Sequence, residues 1–196
     1  MSGEFGFGLT VEEGAYLLDL ARLSVGRRFK GEYSEASLPE PVSDKLRAPL
    51  GAFVTLKKRG SLRGCIGRLV DEAPLYLTVS RMALAAAFQD PRFPPLEAGE
   101  FGELDWEVSV MGPITACREP EQVVIGRHGL IMKQGARQGL LLPQVPVEWG
   151  WGREEFLDQT CRKASLPAGL WRKAWKEDGV ELYWFEAFVV HEGQKP

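Results

Sequence analysis

Cysteine and histidine are scarce in this chain of 196 residues, which has three cysteines, Cys65, Cys117 and Cys161, and two histidines, His128 and His191. They stand far apart, with no Cys-x-x-Cys pair and no Cys/His cluster. The short paired ligand spacings of a structural zinc site are therefore missing, and no metal or cofactor is expected. An odd cysteine count points to a reducing compartment rather than a disulfide scaffold. No apolar run approaches the ~20 residues that span a bilayer. The opening MSGEFGFGLT has neither a basic nor an apolar stretch, so no signal peptide and a cytoplasmic location are expected. Neither sign of charge dominates: 24 Lys and Arg against 27 Asp and Glu give a net charge of −3. The basic residues are spread along the chain, which argues against nucleic-acid binding, where a concentrated patch must neutralise phosphates. P-loop, GxGxxG and HExxH motifs are also missing.

What is present is ordinary globular material, 44% hydrophobic and 26% charged. A chain of this length buries about 70% of its unfolded surface and needs no covalent staples. Thr10-Val11-Glu12-Glu13 has the form of a capping box, and Leu17, Leu18, Ala21 and Val25 follow at helical spacing. This predicts a first helix over about 11–26, ending near Gly26. Residues 30–50, with Pro39, Pro41 and Pro49, read as a surface loop. A hairpin is expected next, with strands over 52–57 and 61–70 joined at Lys58-Arg59-Gly60. Pro74 suits the first turn of a helix over 75–88 that is apolar almost all round, which is the pattern of a buried helix. Leu104–Met111 alternates as a strand.

The second half repeats this order. A hairpin over 129–142 turns at Gly135-Ala136-Arg137, a helix covers 153–164, and an aromatic-rich strand covers 181–190. Hairpin, helix and strand each recur after 77 or 78 residues. The expectation is an α+β fold: a single domain of two antiparallel-sheet subdomains with covering helices, halves at about 50–113 and 125–190, formed by a degenerate ββαβ duplication.

The chemistry concentrates at Leu62–Gly67, LRGCIG. On a regular strand Arg63 shares a face with Cys65, and a nearby guanidinium favours the reactive thiolate. Gly64 and Gly67 leave backbone open to a ligand, or allow a bulge or close packing. Cys65 is thus either a reactive thiol or a small buried hydrophobe. His128, in GRHG, is either a base for Cys65 or a turn residue between glycines, and the turn reading is favoured. Asp90 and Arg92 flank a proline; they can pair to fix the loop, or Arg92 can bind an anion. Glu107 projects from LDWEVSVM as an acid/base candidate or as the partner of Arg63. Arg68 adds a charge beside the cysteine. Cys117 and Cys161 read as structural, and His191 as surface. The tryptophans read as core or subdomain interface, although Trp149 and Trp151 in a Gly-rich loop can wall a pocket.

LRGCIG, together with GAFVTLKK (51–58), AAAFQDPRFPPL (85–96), WEVSVMGP (106–113), IGRHGLIM (125–132), GLLLPQVPVEWGW (139–151) and EEFLDQTCRKASLP (154–167), resembles the AMMECR family. Prokaryotic members of that family are called AmmeMemoRadiSam system protein A. Two positions depart from its pattern: Arg68 stands where a small Thr-like residue is usual, and Ser165 where Gly is. The resemblance implies an α+β architecture with two subdomains and a cleft near the signature. It implies a binding or accessory component working with a Memo-like protein and a radical-SAM protein. The alternative is an enzyme using Cys65 in that cleft, with Arg63, His128 and Glu107 as catalytic candidates and Gly64, Gly67, Arg68 and Arg92 as ligand-binding candidates. The resemblance brings no established reaction.

Overall fold

A computed structural model describes residues 8–192 of the chain. Residues 1–7, where most of the leader reading falls, and 193–196 lie outside the described residues. The chain divides into two compact units, residues 8–111 with 188–192, and residues 112–187. Among the described residues no helix is long and apolar enough to cross a membrane.

The first unit opens with helix α1, Val11–Lys30, capped by Thr10 and Glu13 in the expected box. The helix does not stop at Gly26. It ends at Gly31, whose left-handed backbone (φ 72°) lets its amide reach the carbonyls of Arg27 and Arg28. Gly26 has a packing role instead: a Cβ there would stand 3.3 Å from the ring of Phe101. Strands β1 (Ala52–Lys58) and β2 (Ser61–Arg68) form the hairpin, α2 covers Leu75–Phe88, and β3 is Leu104–Met111. The strand order is β2-β1-β3, all antiparallel. One face of this sheet carries Val54, Leu56, Ile66, Trp106, Val108 and Val110 into the core. There they meet Leu17, Ala21 and Val25 of α1 and Leu75, Val79, Met82 and Ala86 of α2, so both stripes read from the sequence are buried. Phe188 and Val190 of the final strand join them.

Residues 112–187 follow the same plan. After β4 (Thr115–Ala116) come β5 (His128–Gln134), β6 (Arg137–Leu141), the short α3 (Gln144–Glu148), α4 (Arg153–Lys163) and β7 (Val180–His191). The hairpin again lies with its first strand in the middle, in the order β6-β5-β7, and β4 pairs with β7. Leu130, Met132 and Leu182 pack on Phe156, Leu157 and Cys161 of α4. The two units thus share strand order and helix placement, as a ββαβ duplication requires. A packing detail repeats as well. Gly64 on β2 lies under α2, where a Cβ would come 2.2 Å from the Ala86 carbonyl oxygen. Gly139 on β6 lies under the end of α4, where a Cβ would come 2.2 Å from the Ala164 nitrogen. In both units the outer hairpin strand carries a glycine so that helix backbone can approach it.

Candidate functional site

Antiparallel partners project to the same side of a sheet. Thr55 pairs with Cys65 on one side and with Glu107 on the other, so Cys65, Thr55 and Glu107 form one row across β2, β1 and β3. Because Val54 and Leu56 point into the core, this row lies on the face away from the helices. The Thr55 hydroxyl donates to the Cys65 sulfur at 3.2 Å. Glu107 accepts from Lys57 Nζ at 3.0 Å, so its partner is Lys57 and not Arg63. Beside it, Lys57, Asp105, Glu107, His191 and Glu192 line a recess of about 270 Å³.

Arg63 does not share the Cys65 face in the expected way. The β1–β2 register slips between Leu56 and Lys57: Leu56 faces Gly64, Lys57 faces Leu62, and Arg63 is the extra residue of a bulge. Its guanidinium turns to Glu100, with Nε to Oε1 at 3.1 Å and Nη2 to Oε2 at 2.8 Å, and Nη1 donates to the Pro94 carbonyl at 3.0 Å. This bidentate contact holds the Glu100 carboxyl well below its usual range, at about 2, and raises Arg63 in turn. Lys58 Nζ adds a further contact to Glu100 at 3.2 Å.

The guanidinium beside Cys65 comes from Arg92. Arg92 grips Asp90 with Nε to Oδ1 at 2.9 Å and Nη2 to Oδ2 at 2.7 Å. Asp90 is only 4% exposed, and its Oδ2 also accepts the Cys65 amide at 2.8 Å. Arg92 Nη2 donates to the Cys65 carbonyl at 3.1 Å. Asp90 and Arg92 therefore treat Cys65 as a neighbouring strand would, satisfying both outward backbone groups of the edge strand β2. Asp90 is held strongly ionised, chiefly by Arg92. The Arg92 pKa is raised by Asp90 foremost and by the Cys65 side chain in smaller part.

The remaining candidates make contacts of their own. Gly64 makes the close approach to α2. Gly67 lies against Phe53, where a Cβ would fall 2.1 Å from the ring. Both are filled by packing on their Cα side. Arg68 is exposed and lies 3.6 Å from Asp71. His128 belongs to the other unit and is the first residue of β5 rather than a turn residue; the left-handed conformation falls at Gly126, φ 82°. The His128 ring is buried, and its Nδ1 accepts the Val124 amide at 3.1 Å. Burial lowers its pKa, and Nδ1 is already committed as an acceptor, so this is a neutral, structurally engaged imidazole. Cys117 and Cys161 are buried, and burial pushes the Cys117 thiol up to about 12. Trp149 departs from a core reading: it is 70% exposed and stacks on Trp151 with ring centroids 6.0 Å apart.

Sequence reasoning missed Thr55, Lys57 and Glu100. The alternation of β1 puts Thr55 and Lys57 on the face away from the core, but only the register reveals that they meet Cys65 and Glu107. Nothing local connects Glu100 to Arg63.

The chain is similar to proteins from several other organisms. It is 42% identical over 183 residues to a protein of Aquifex aeolicus, covering 90% of this chain and 91% of that one. It is 42% identical over 193 residues to protein MK0488 of Methanopyrus kandleri, covering 94% and 90%. The crystal structure of the uncharacterized protein PH0010 from Pyrococcus horikoshii superposes with a TM-score of 0.80 at 37% identity, covering 95% of each chain. The AMMECR1 family model matches residues 18–190, a span that takes in both hairpins, both covering helices and the whole clasp around Cys65. The chain belongs to the AMMECR1 family.

Proposed function

We propose that this protein is a cytoplasmic binding or accessory component whose working surface is the helix-free face of the β2-β1-β3 sheet. Its partners are a Memo-like protein and a radical-SAM protein, the assignment that the family resemblance suggests. The observation that carries the reading is the in-register row Cys65–Thr55–Glu107 with Lys57, a polar stripe that the core does not use. Among the described residues none of the catalytic candidates hydrogen-bonds to Cys65: Glu107 accepts from Lys57, Arg63 is paired with Glu100, and the His128 ring accepts a backbone amide. Catalysis by proton transfer needs a base within hydrogen-bond reach of the group it serves.

A second reading keeps Cys65 as a reactive thiol. The half-buried position of this free thiol and the Thr55 hydroxyl that donates to its sulfur favour it.

Affinity purification with the two partner proteins separates the readings. Glu107→Lys places a second cation in the stripe beside Lys57 and is expected to cut complex recovery at least tenfold, while Cys65→Ser leaves recovery unchanged. Failure to recover any complex with the wild type, or loss of complex in Cys65→Ser, contradicts the binding reading. Selective labelling of Cys65 by iodoacetamide at neutral pH, together with such a loss, favours the second.

A further inference from the structure

Residues 112–187 hold a cavity of about 330 Å³ that is separate from the Cys65 stripe. One wall is the buried Trp171 ring. Its indole N–H donates to Asp158 at 2.7 Å, and the same carboxylate oxygen accepts the Gly169 amide at 2.8 Å, so the ring is fixed from behind. Arg172 lies over this ring at 4.1 Å and is tied to Glu154 at 2.9 Å. Across the cavity Arg118 lies over Trp175 at 5.1 Å, and the Trp175 indole N–H is anchored to the carbonyls of Cys117 and Leu182 at 3.1 and 3.0 Å.

A guanidinium resting on an indole face keeps its N–H edge free for a planar anion. Arg118 is in that state, with no ion pair among the described residues, and neither does Lys176 have one. Two carboxylates also line the cavity. Glu154 is taken by Arg172. Glu121 is free of ion pairs among the described residues, and its segment is pinned where Arg153 donates to the Glu121 carbonyl at 2.8 Å. Two uncommitted cations thus face one uncommitted carboxylate, an excess of a single positive charge. Pro120, Ala174 and the Trp171 ring supply apolar lining. The volume lies near the lower end for small-molecule sites, about 300 Å³.

We propose that this cavity binds a small organic monocarboxylate with an apolar body, its carboxylate between Arg118 and Lys176 and its body against Trp171. Dianionic phosphate is disfavoured because Glu121 and Glu154 oppose a second negative charge.

The test titrates 3-phenylpropionate into the full chain and follows the indole N–H signals of Trp171 and Trp175 by NMR. Its uncharged amide and inorganic phosphate are the comparison ligands. The expected result is saturable movement of both signals, with the amide and phosphate at least tenfold weaker. Arg118→Gln with Lys176→Gln, both exposed positions, is expected to lower affinity at least tenfold with an unchanged melting temperature. Equal binding of the amide, tighter binding of phosphate, static indole signals, or full affinity in the double variant would each overturn the proposal.

Discussion

Replacing Asp90 with alanine is expected to destabilise the unit built from residues 8–111 by about 3 kcal/mol, read as a lower midpoint in urea unfolding. One buried carboxylate accepts the Cys65 amide, the Arg92 amide and two guanidinium contacts. Removing it strands the Cys65 N–H on an edge strand and frees the Arg92 guanidinium from its partner. A buried donor left unpaired costs about 1–3 kcal/mol, and breaking a buried ion pair from one side about 3–5 kcal/mol. The lower part of that combined range applies because Arg92 is more than half exposed and can turn to water, whereas Asp90 cannot. Arg92→Ala should cost at least as much as Asp90→Ala, since it leaves the buried carboxylate with two amide donors but no counter-charge. An Asp90→Ala midpoint within experimental error of wild type would mean that the clasp contributes nothing.

Gly64→Ala is expected to be of similar size, about 3 kcal/mol, by a different mechanism. The new methyl would sit 2.2 Å from the Ala86 carbonyl oxygen, well inside contact distance. The obstacle is helix backbone, so α2 or β2 has to move rather than a side chain rotate. Overpacking of this kind costs about 1–3 kcal/mol and more where the neighbour cannot yield. Gly60→Ala is the internal comparison: no atom lies within 4 Å of a Cβ there, and its cost comes only from the left-handed backbone, φ 78°. Gly64→Ala should unfold at clearly lower urea than Gly60→Ala. The reverse order would show that β2 and α2 are not held as closely as described.

Packing and pairing explain much of LRGCIG without chemistry. Gly64 admits a helix, Ile66 enters the core, Gly67 admits the Phe53 ring, and Arg63 fastens the 94–100 loop through Glu100. The Cys65 backbone is fastened by Asp90 and Arg92. What packing leaves unexplained is the Cys65 side chain and the stripe it shares with Thr55 and Glu107.

The elements were legible because their periods were clean. LDWEVSVM alternates, and the apolar stripe of 75–88 repeats at helical spacing, so both were placed to within a residue or two. The end of α1 was misread because a glycine in a helix can mark a stop or a close contact, and only the position of Phe101 tells which. His128 was misread as a turn residue because two glycines flank it closely, yet Gly126 alone takes the left-handed backbone. The site was harder to read. A bulge at Arg63 has no sequence signature here, and a slip of one residue is enough to send a side chain elsewhere. The Asp90–Arg92 pair was visible as a local turn. That it closes on Cys65, 25 residues away, depends on tertiary folding that no local spacing reports.

Amide hydrogen exchange at Cys65 tests the clasp most directly. Cys65 N–H points off the edge of the sheet and has no partner strand; its acceptor is the buried Asp90 carboxylate. The predicted result is exchange as slow as that of the hydrogen-bonded β1–β2 ladder amides, opening only with the whole unit. Exchange at the rate of an exposed edge amide would contradict the claim that Asp90 and Arg92 hold the signature strand in place.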